Sequence, residues 1–187
     1  STKVVISLLS GEDSKKLFTY EFKLSLTIVV GENLELELTT HNTDEKLFNI
    51  TQALHTYFAV KNIKDVSVSG LDGCVYLDKA KSNIGEESKT QNGDIVFSGE
   101  VDRIYLAVPN NLQIRQTDSL VHTAIQSVNN KTAVVWNPWK ELCEQSADLN
   151  PGDYTRFVCV ETANAADDVV KVNPGDSFSL RVTYSII

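Results

Sequence analysis

The chain has 187 residues, 42% of them apolar and 22% charged, enough for one domain with a substantial core. Its net charge of −8 excludes a general nucleic-acid binder, which needs a basic stripe to neutralise phosphates. No apolar run approaches the ~20 residues that cross a bilayer as a helix, and no secretory leader is visible, so a cytoplasmic location is expected.

The three cysteines (Cys74, Cys143, Cys159) are widely spaced and form no Cys-x-x-Cys pair. They read as free thiols, with Cys159 in a strand core. Met is absent, and the chain opens at once on Lys3-Val4-Val5-Ile6-Ser7-Leu8-Leu9. That beginning suggests a chain that starts in mid-domain.

Period 2 dominates from there. Phe22, Leu24, Leu26, Ile28 and Val30 alternate with Glu21, Lys23, Ser25 and Thr27. Gly31-Glu32-Asn33 turns the chain, and Leu34, Leu36 and Leu38 alternate with Glu35, Glu37 and Thr39. The pair predicts a hairpin with its acids in water. Phe48 to Val60 reads as one strand, and Val66 to Val68 and Val75 to Leu77 as two short ones. Residues 79–94 are polar and read as a long connection or an exposed hairpin tip.

Ile95 to Phe97, Val101 to Val108, Leu112 to Ile114, Val121 to Val128 and Thr132 to Trp136 are further strands. His122 reads as a solvent-facing strand residue. Lys140 to Asp148 has room for a short helix. Asn150-Pro151-Gly152-Asp153 and Asn173-Pro174-Gly175-Asp176 are strong turns. Tyr154 to Val160 is a strand ending at Glu161, and Phe178 to Ile186 alternates to finish the chain. About ten short strands, with no sustained 3.6 period and no internal linker, predict a single antiparallel β-sandwich over residues 1–187.

Three ionisable residues stand in or beside apolar strand segments: His55 in Leu54-His55-Thr56-Tyr57-Phe58, Asp102 in Val101-Asp102-Arg103-Ile104-Tyr105, and Glu161 after Phe157-Val158-Cys159-Val160. Each has a structural reading. His55 is a hydrogen-bonded core residue, Asp102 an ion pair with Arg103, and Glu161 a cap on the turn before Thr162. Together they also offer a neutral-pH acid and a base, the equipment for moving protons on and off a bound molecule. Gln52 and Trp136 are candidates for the wall of such a pocket.

Four segments in this order carry a specific likeness: Leu54-His55-Thr56-Tyr57-Phe58, Val101-Asp102-Arg103-Ile104-Tyr105, Val134-Val135-Trp136-Asn137-Pro138-Trp139 and Val158-Cys159-Val160-Glu161-Thr162-Ala163. They resemble the glucose-6-phosphate 1-epimerase branch of the aldose 1-epimerase superfamily, over essentially the whole chain. The resemblance implies a large β-sandwich of the galactose mutarotase type that interconverts the α and β anomers of a hexose 6-phosphate. It implies His55 as the acid at the ring oxygen, Glu161 as the base at the C1 hydroxyl, and Asp102 as a ligand of sugar hydroxyls. It implies a sugar phosphate as partner and no metal or organic cofactor. The family's earlier His-Gly-(Phe or Leu)-Ala-Arg segment and its phosphate-holding arginines have no counterpart here. The chain therefore resembles the C-terminal part of such an enzyme, lacking its N-terminal strands. The alternative function is a non-catalytic carbohydrate-binding sandwich of the same ancestry; a sandwich with a plain interaction role is the third reading.

Overall fold

The computed structural model describes residues 1–80, 88–117 and 119–187. Seventeen strands lie among the described residues. They are β1 (Thr2–Leu9), β2 (Phe22–Val30), β3 (Leu34–Asn42), β4 (Phe48–Ile50), β5 (Gln52–Leu54) and β6 (Tyr57–Ala59). Next come β7 (Val66–Ser69), β8 (Val75–Asp78), β9 (Ser88–Thr90), β10 (Ile95–Val96), β11 (Val101–Leu106) and β12 (Asn111–Gln116). The last are β13 (Thr123–Val128), β14 (Thr132–Asn137), β15 (Phe157–Asn164), β16 (Val170–Val172) and β17 (Ser177–Ile186). Two short helices, α1 (Glu12–Lys15) and α2 (Trp139–Gln145), interrupt them. Among the described residues no helix is long and apolar enough to cross a membrane.

Every pairing is antiparallel. One sheet has eight strands in the order β1-β2-β3-β17-β13-β12-β7-β10. The second runs β5-β15-β14-β11-β8-β9, with β6 also on β15, and β4 pairs with β16 apart from both. The two inner faces make the core. Val66, Val68, Ile114, Leu180 and Val182 of the first sheet meet Val135, Val158, Val160 and Tyr105 of the second, all nearly or wholly withdrawn from water. This is the two-layer packing that period-2 sequences adopt when each strand has one apolar side.

Several sequence expectations change in detail. The stretch from Phe48 to Val60 is three strands, broken at Thr51 and again at His55 and Thr56. β13 starts only at Thr123; His122 precedes it, exchanges backbone hydrogen bonds with Ile187, and is half-buried rather than solvent-facing. Glu161 does not end its strand, because β15 continues to Asn164 with every residue buried. The polar stretch 79–94 includes β9, which pairs with β8, while the expected tip at 81–87 lies outside the described residues.

Gly70 shows how tightly one turn is drawn. It follows β7 with φ +102°, and a Cβ there would sit 2.8 Å from the carbonyl oxygen of Asn111. Gly70→Ala is expected to destabilise the fold by ~3 kcal/mol, from the left-handed backbone and the clash together. Urea denaturation measures it; a change below ~1 kcal/mol contradicts the assigned turn.

Candidate active site

The site forms on the outer face of the second sheet. Cross-strand pairs set Asp102 opposite Trp136, Trp136 opposite Cys159, and Glu161 opposite Val134. Paired residues in an antiparallel sheet share a face, so these side chains all rise on the same side. Arg103, one residue on from Asp102, goes to the other side. There its guanidinium donates to Gln91 Oε1 and lies 4.7 Å from the centre of the Tyr76 ring. The Asp102–Arg103 ion pair considered from sequence is therefore excluded by strand alternation.

His55 arrives from the break between β5 and β6. Both strands pair with β15 in one unbroken register, so His55 stands directly across from Glu161 where the ladder opens. The Thr56 amide turns back onto the Leu54 carbonyl at 2.9 Å, and the Thr56 hydroxyl bonds the Tyr184 hydroxyl at 2.6 Å. Thr56 is thus tied to the opposite sheet, and its neighbour His55 is turned outward. The imidazole Nε2 lies 3.2 Å from Glu161 Oε1, with 50% of the His55 side chain exposed and 6% of Glu161. The ring stacks on Tyr57 at 5.0 Å and meets Trp136 edge-on at 5.9 Å.

The electrostatics follow from this placement. Burial, then the neighbouring Asp102 charge, pushes the Glu161 carboxyl up from 4.5 to about 7. Asp102 is also raised, by burial first and then by Glu100 and Asp78, with Lys79 opposing. Burial raises the Cys159 thiol, so it is an inert core group rather than a nucleophile. A carboxylate titrating near neutrality, in contact with an imidazole, is suited to accept a proton that a neighbouring group can resupply. Among the described residues no group of three or more His, Cys, Asp or Glu is placed to hold a metal ion.

The structure therefore brings His55, Glu161, Asp102 and Trp136 to one face. It does not bring Gln52 there. Gln52 shares the face of Leu54, donates to Asn164 Oδ1 at 3.1 Å, and lines a separate groove with Phe22 and Ile50. Trp139 packs on the core against Tyr154 rather than at the site. Asn137 prepares that divergence. Its buried amide donates to the carbonyls of Tyr154 and Phe157, and its oxygen accepts from the Trp139 amide, so the chain turns sharply after Trp136. Tyr57 belongs to the site although its apolar neighbours suggest a core residue. It is half-exposed and stacked on His55; its place two residues after His55 was the available signal.

Comparison with known proteins adds the ancestry. The sequence pattern of Aldose 1-epimerase matches residues 1–185. The chain belongs to the aldose 1-epimerase family. A relative from Cenchrus ciliaris, which carries the provisional name glucose-6-phosphate 1-epimerase, is 33% identical over 98% of this chain and 56% of its own length. One from Escherichia coli K12, with the same provisional name, is 34% identical over 96% of this chain and 60% of its own. A provisionally named mutarotase from Salmonella typhimurium superposes with a TM-score of 0.88 at 28% identity, covering 98% of this chain and 60% of that one. The family assignment agrees with the galactose-mutarotase-type sandwich expected from the sequence. This family member spans well under two thirds of the length of those relatives.

Proposed function

We propose that this face interconverts the α and β anomers of an aldose, with a hexose 6-phosphate as substrate, glucose 6-phosphate foremost. The observation that carries the reading is the contact of His55 with a buried Glu161 whose carboxyl titrates near 7. Family membership supports it, and the provisional names of the relatives point to the phosphate.

The steps balance in both directions. Glu161 takes the proton of the C1 hydroxyl, the C1–O5 bond breaks as the aldehyde forms, and O5 takes a proton from His55. The C1–C2 bond turns. His55 then removes the proton from O5, O5 attacks the other face of the aldehyde, and Glu161 returns its proton to O1. O1 and O5 share one carbon, so an acid and a base in contact with each other are placed to serve both atoms. In this reading Asp102 accepts from ring hydroxyls, and Trp136 offers an apolar wall.

A neutral aldose is the second reading, because among the described groups that act on Asp102 the acidic Glu100 and Asp78 outweigh Lys79. Rates of anomeric exchange on glucose and on glucose 6-phosphate, measured side by side, separate the two. The phosphate reading expects at least tenfold higher kcat/KM on glucose 6-phosphate; equal or better rates on glucose contradict it. Asp102→Asn is expected to raise KM by about tenfold with little change in kcat, the loss of one or two charge-assisted hydrogen bonds. An unchanged KM would remove Asp102 from the binding role.

A further inference from the structure

Strand pairing alone leaves the His55 ring loosely held. The ladder opens at His55 and Thr56, and Thr56 anchors the backbone of the break through Leu54 and Tyr184. Among the described residues the imidazole has one polar contact, Nε2 to Glu161 Oε1 at 3.2 Å, and half of the side chain is exposed. A contact at one atom does not fix the plane of a ring, and the last torsion of a histidine has only broad preferences. Yet the plane matters. The N–H bond and the lone pair of a neutral imidazole both lie in it, so it decides whether His55 points at a sugar oxygen or past it.

Two rings supply what the backbone does not. Tyr57 stacks on the imidazole at 5.0 Å with 16° between the planes, and Trp136 meets it at 76°. The stacked ring opposes tilting and the perpendicular one opposes swinging aside. The sheet holds these rings as a set. Tyr57, Cys159 and Trp136 form one cross-strand row, in which the small, wholly buried Cys159 lets the flanking rings meet at 6.1 Å. Phe157 stands two residues before Cys159 on the same face and backs both rings, at 5.1 Å from Tyr57 and 5.7 Å from Trp136. Asn137 in turn holds Phe157, donating to its carbonyl at 2.9 Å.

Tyr57 is 53% exposed, so filling the core does not account for it. Among the described residues its hydroxyl makes no hydrogen bond. Burial, then the neighbouring Cys159, Glu161 and Asp148, raises that hydroxyl above its ordinary value, so the phenol stays neutral and is no candidate base. What remains is the face of the ring. On the reading that this site epimerises an aldose, we propose that Tyr57 is a positioning residue: its ring holds the His55 imidazole in the plane from which the proton passes to and from the sugar ring oxygen.

Two substitutions and two readouts test it. Tyr57→Leu keeps an apolar side chain and removes the flat ring; Tyr57→Phe keeps the ring and removes the hydroxyl. Tyr57→Leu is expected to lower kcat for anomeric exchange by about tenfold with KM within about twofold, and Tyr57→Phe to stay within about twofold of wild type in both. The second readout needs no turnover. The nuclear Overhauser contact between the His55 and Trp136 rings is expected in the wild-type chain and in Tyr57→Phe, and is expected to vanish in Tyr57→Leu. Circular dichroism verifies the folded state of each variant. A Tyr57→Leu variant with wild-type kcat, with its loss in KM alone, or with the ring contact intact overturns the proposal. So does a Tyr57→Phe variant as impaired as Tyr57→Leu, or a wild-type chain without the ring contact. If the wild-type chain does not accelerate exchange, the anomeric reading fails, and the ring contact in the three proteins decides by itself whether Tyr57 positions His55.

Discussion

Glu161→Gln is expected to slow anomeric exchange by about a thousandfold while sugar affinity stays within a few-fold. The size is that of a positioned general base removed in favour of an amide of the same shape. Gln still fills the same space opposite Val134 and still faces His55, so the loss belongs to proton transfer and not to collapse of the face. The wild-type rate should carry the signature of the same group. A base whose carboxyl titrates at about 7 is ionised in half the molecules at that pH. The acid limb of the kcat/KM profile is therefore expected to rise with pH through about 7, not through the ordinary carboxylate range. Turnover by the Gln variant close to the wild-type rate would remove Glu161 from the base role. An acid limb near 4.5 would show that burial does not tune it in the free protein.

The second large effect is on stability. The folded state holds the Glu161 proton up to about pH 7, whereas the unfolded chain releases it near 4.5. Below 4.5 both states are protonated and the buried neutral carboxyl contributes its full stability. As pH rises from there toward 7 the unfolded state ionises first, and that contribution is progressively lost. The gap corresponds to about 3 kcal/mol. Glu161→Gln carries no such penalty, so its stability relative to wild type is expected to improve by about that amount between pH 4 and pH 8. Urea titrations of both proteins across this range measure the difference. A stability difference that stays flat with pH would contradict the raised carboxyl.

The two effects have opposite signs for one residue: the charge that the proposed chemistry requires is the charge that the fold disfavours. A site with this conflict gains activity at a cost in stability. Glu161 sits mid-strand in β15 among buried strand residues and faces the more exposed His55 at 3.2 Å.

Much of the fold was legible because period 2 is a local signal. The β2–β3 hairpin and the final strand β17 stand where alternation put them. The break at His55 was not legible. It depends on Thr56 bonding a tyrosine 128 positions away, and no local pattern distinguishes that from a continuous strand. The convergence of His55 and Glu161 likewise depends on the pairing of β5 and β6 with β15, a long-range register that composition does not contain.

Parity would have improved two assignments. Gln52 lies two residues before the core Leu54 and therefore faces inward; Tyr57 lies two after His55 and therefore faces the site. Arg103 follows the same rule, since adjacent strand residues point apart however well their charges match.

The proposed chemistry has the His55–Glu161 pair turn over an anomeric carbon. The most direct measurement is magnetisation exchange between the α and β C1 protons of glucose 6-phosphate by NMR at neutral pH, with this chain and with His55→Ala. Exchange is expected to run faster than the spontaneous rate with the wild-type chain and to fall at least a hundredfold with His55→Ala. Acceleration that survives loss of His55, or no acceleration by the wild-type chain, would contradict it.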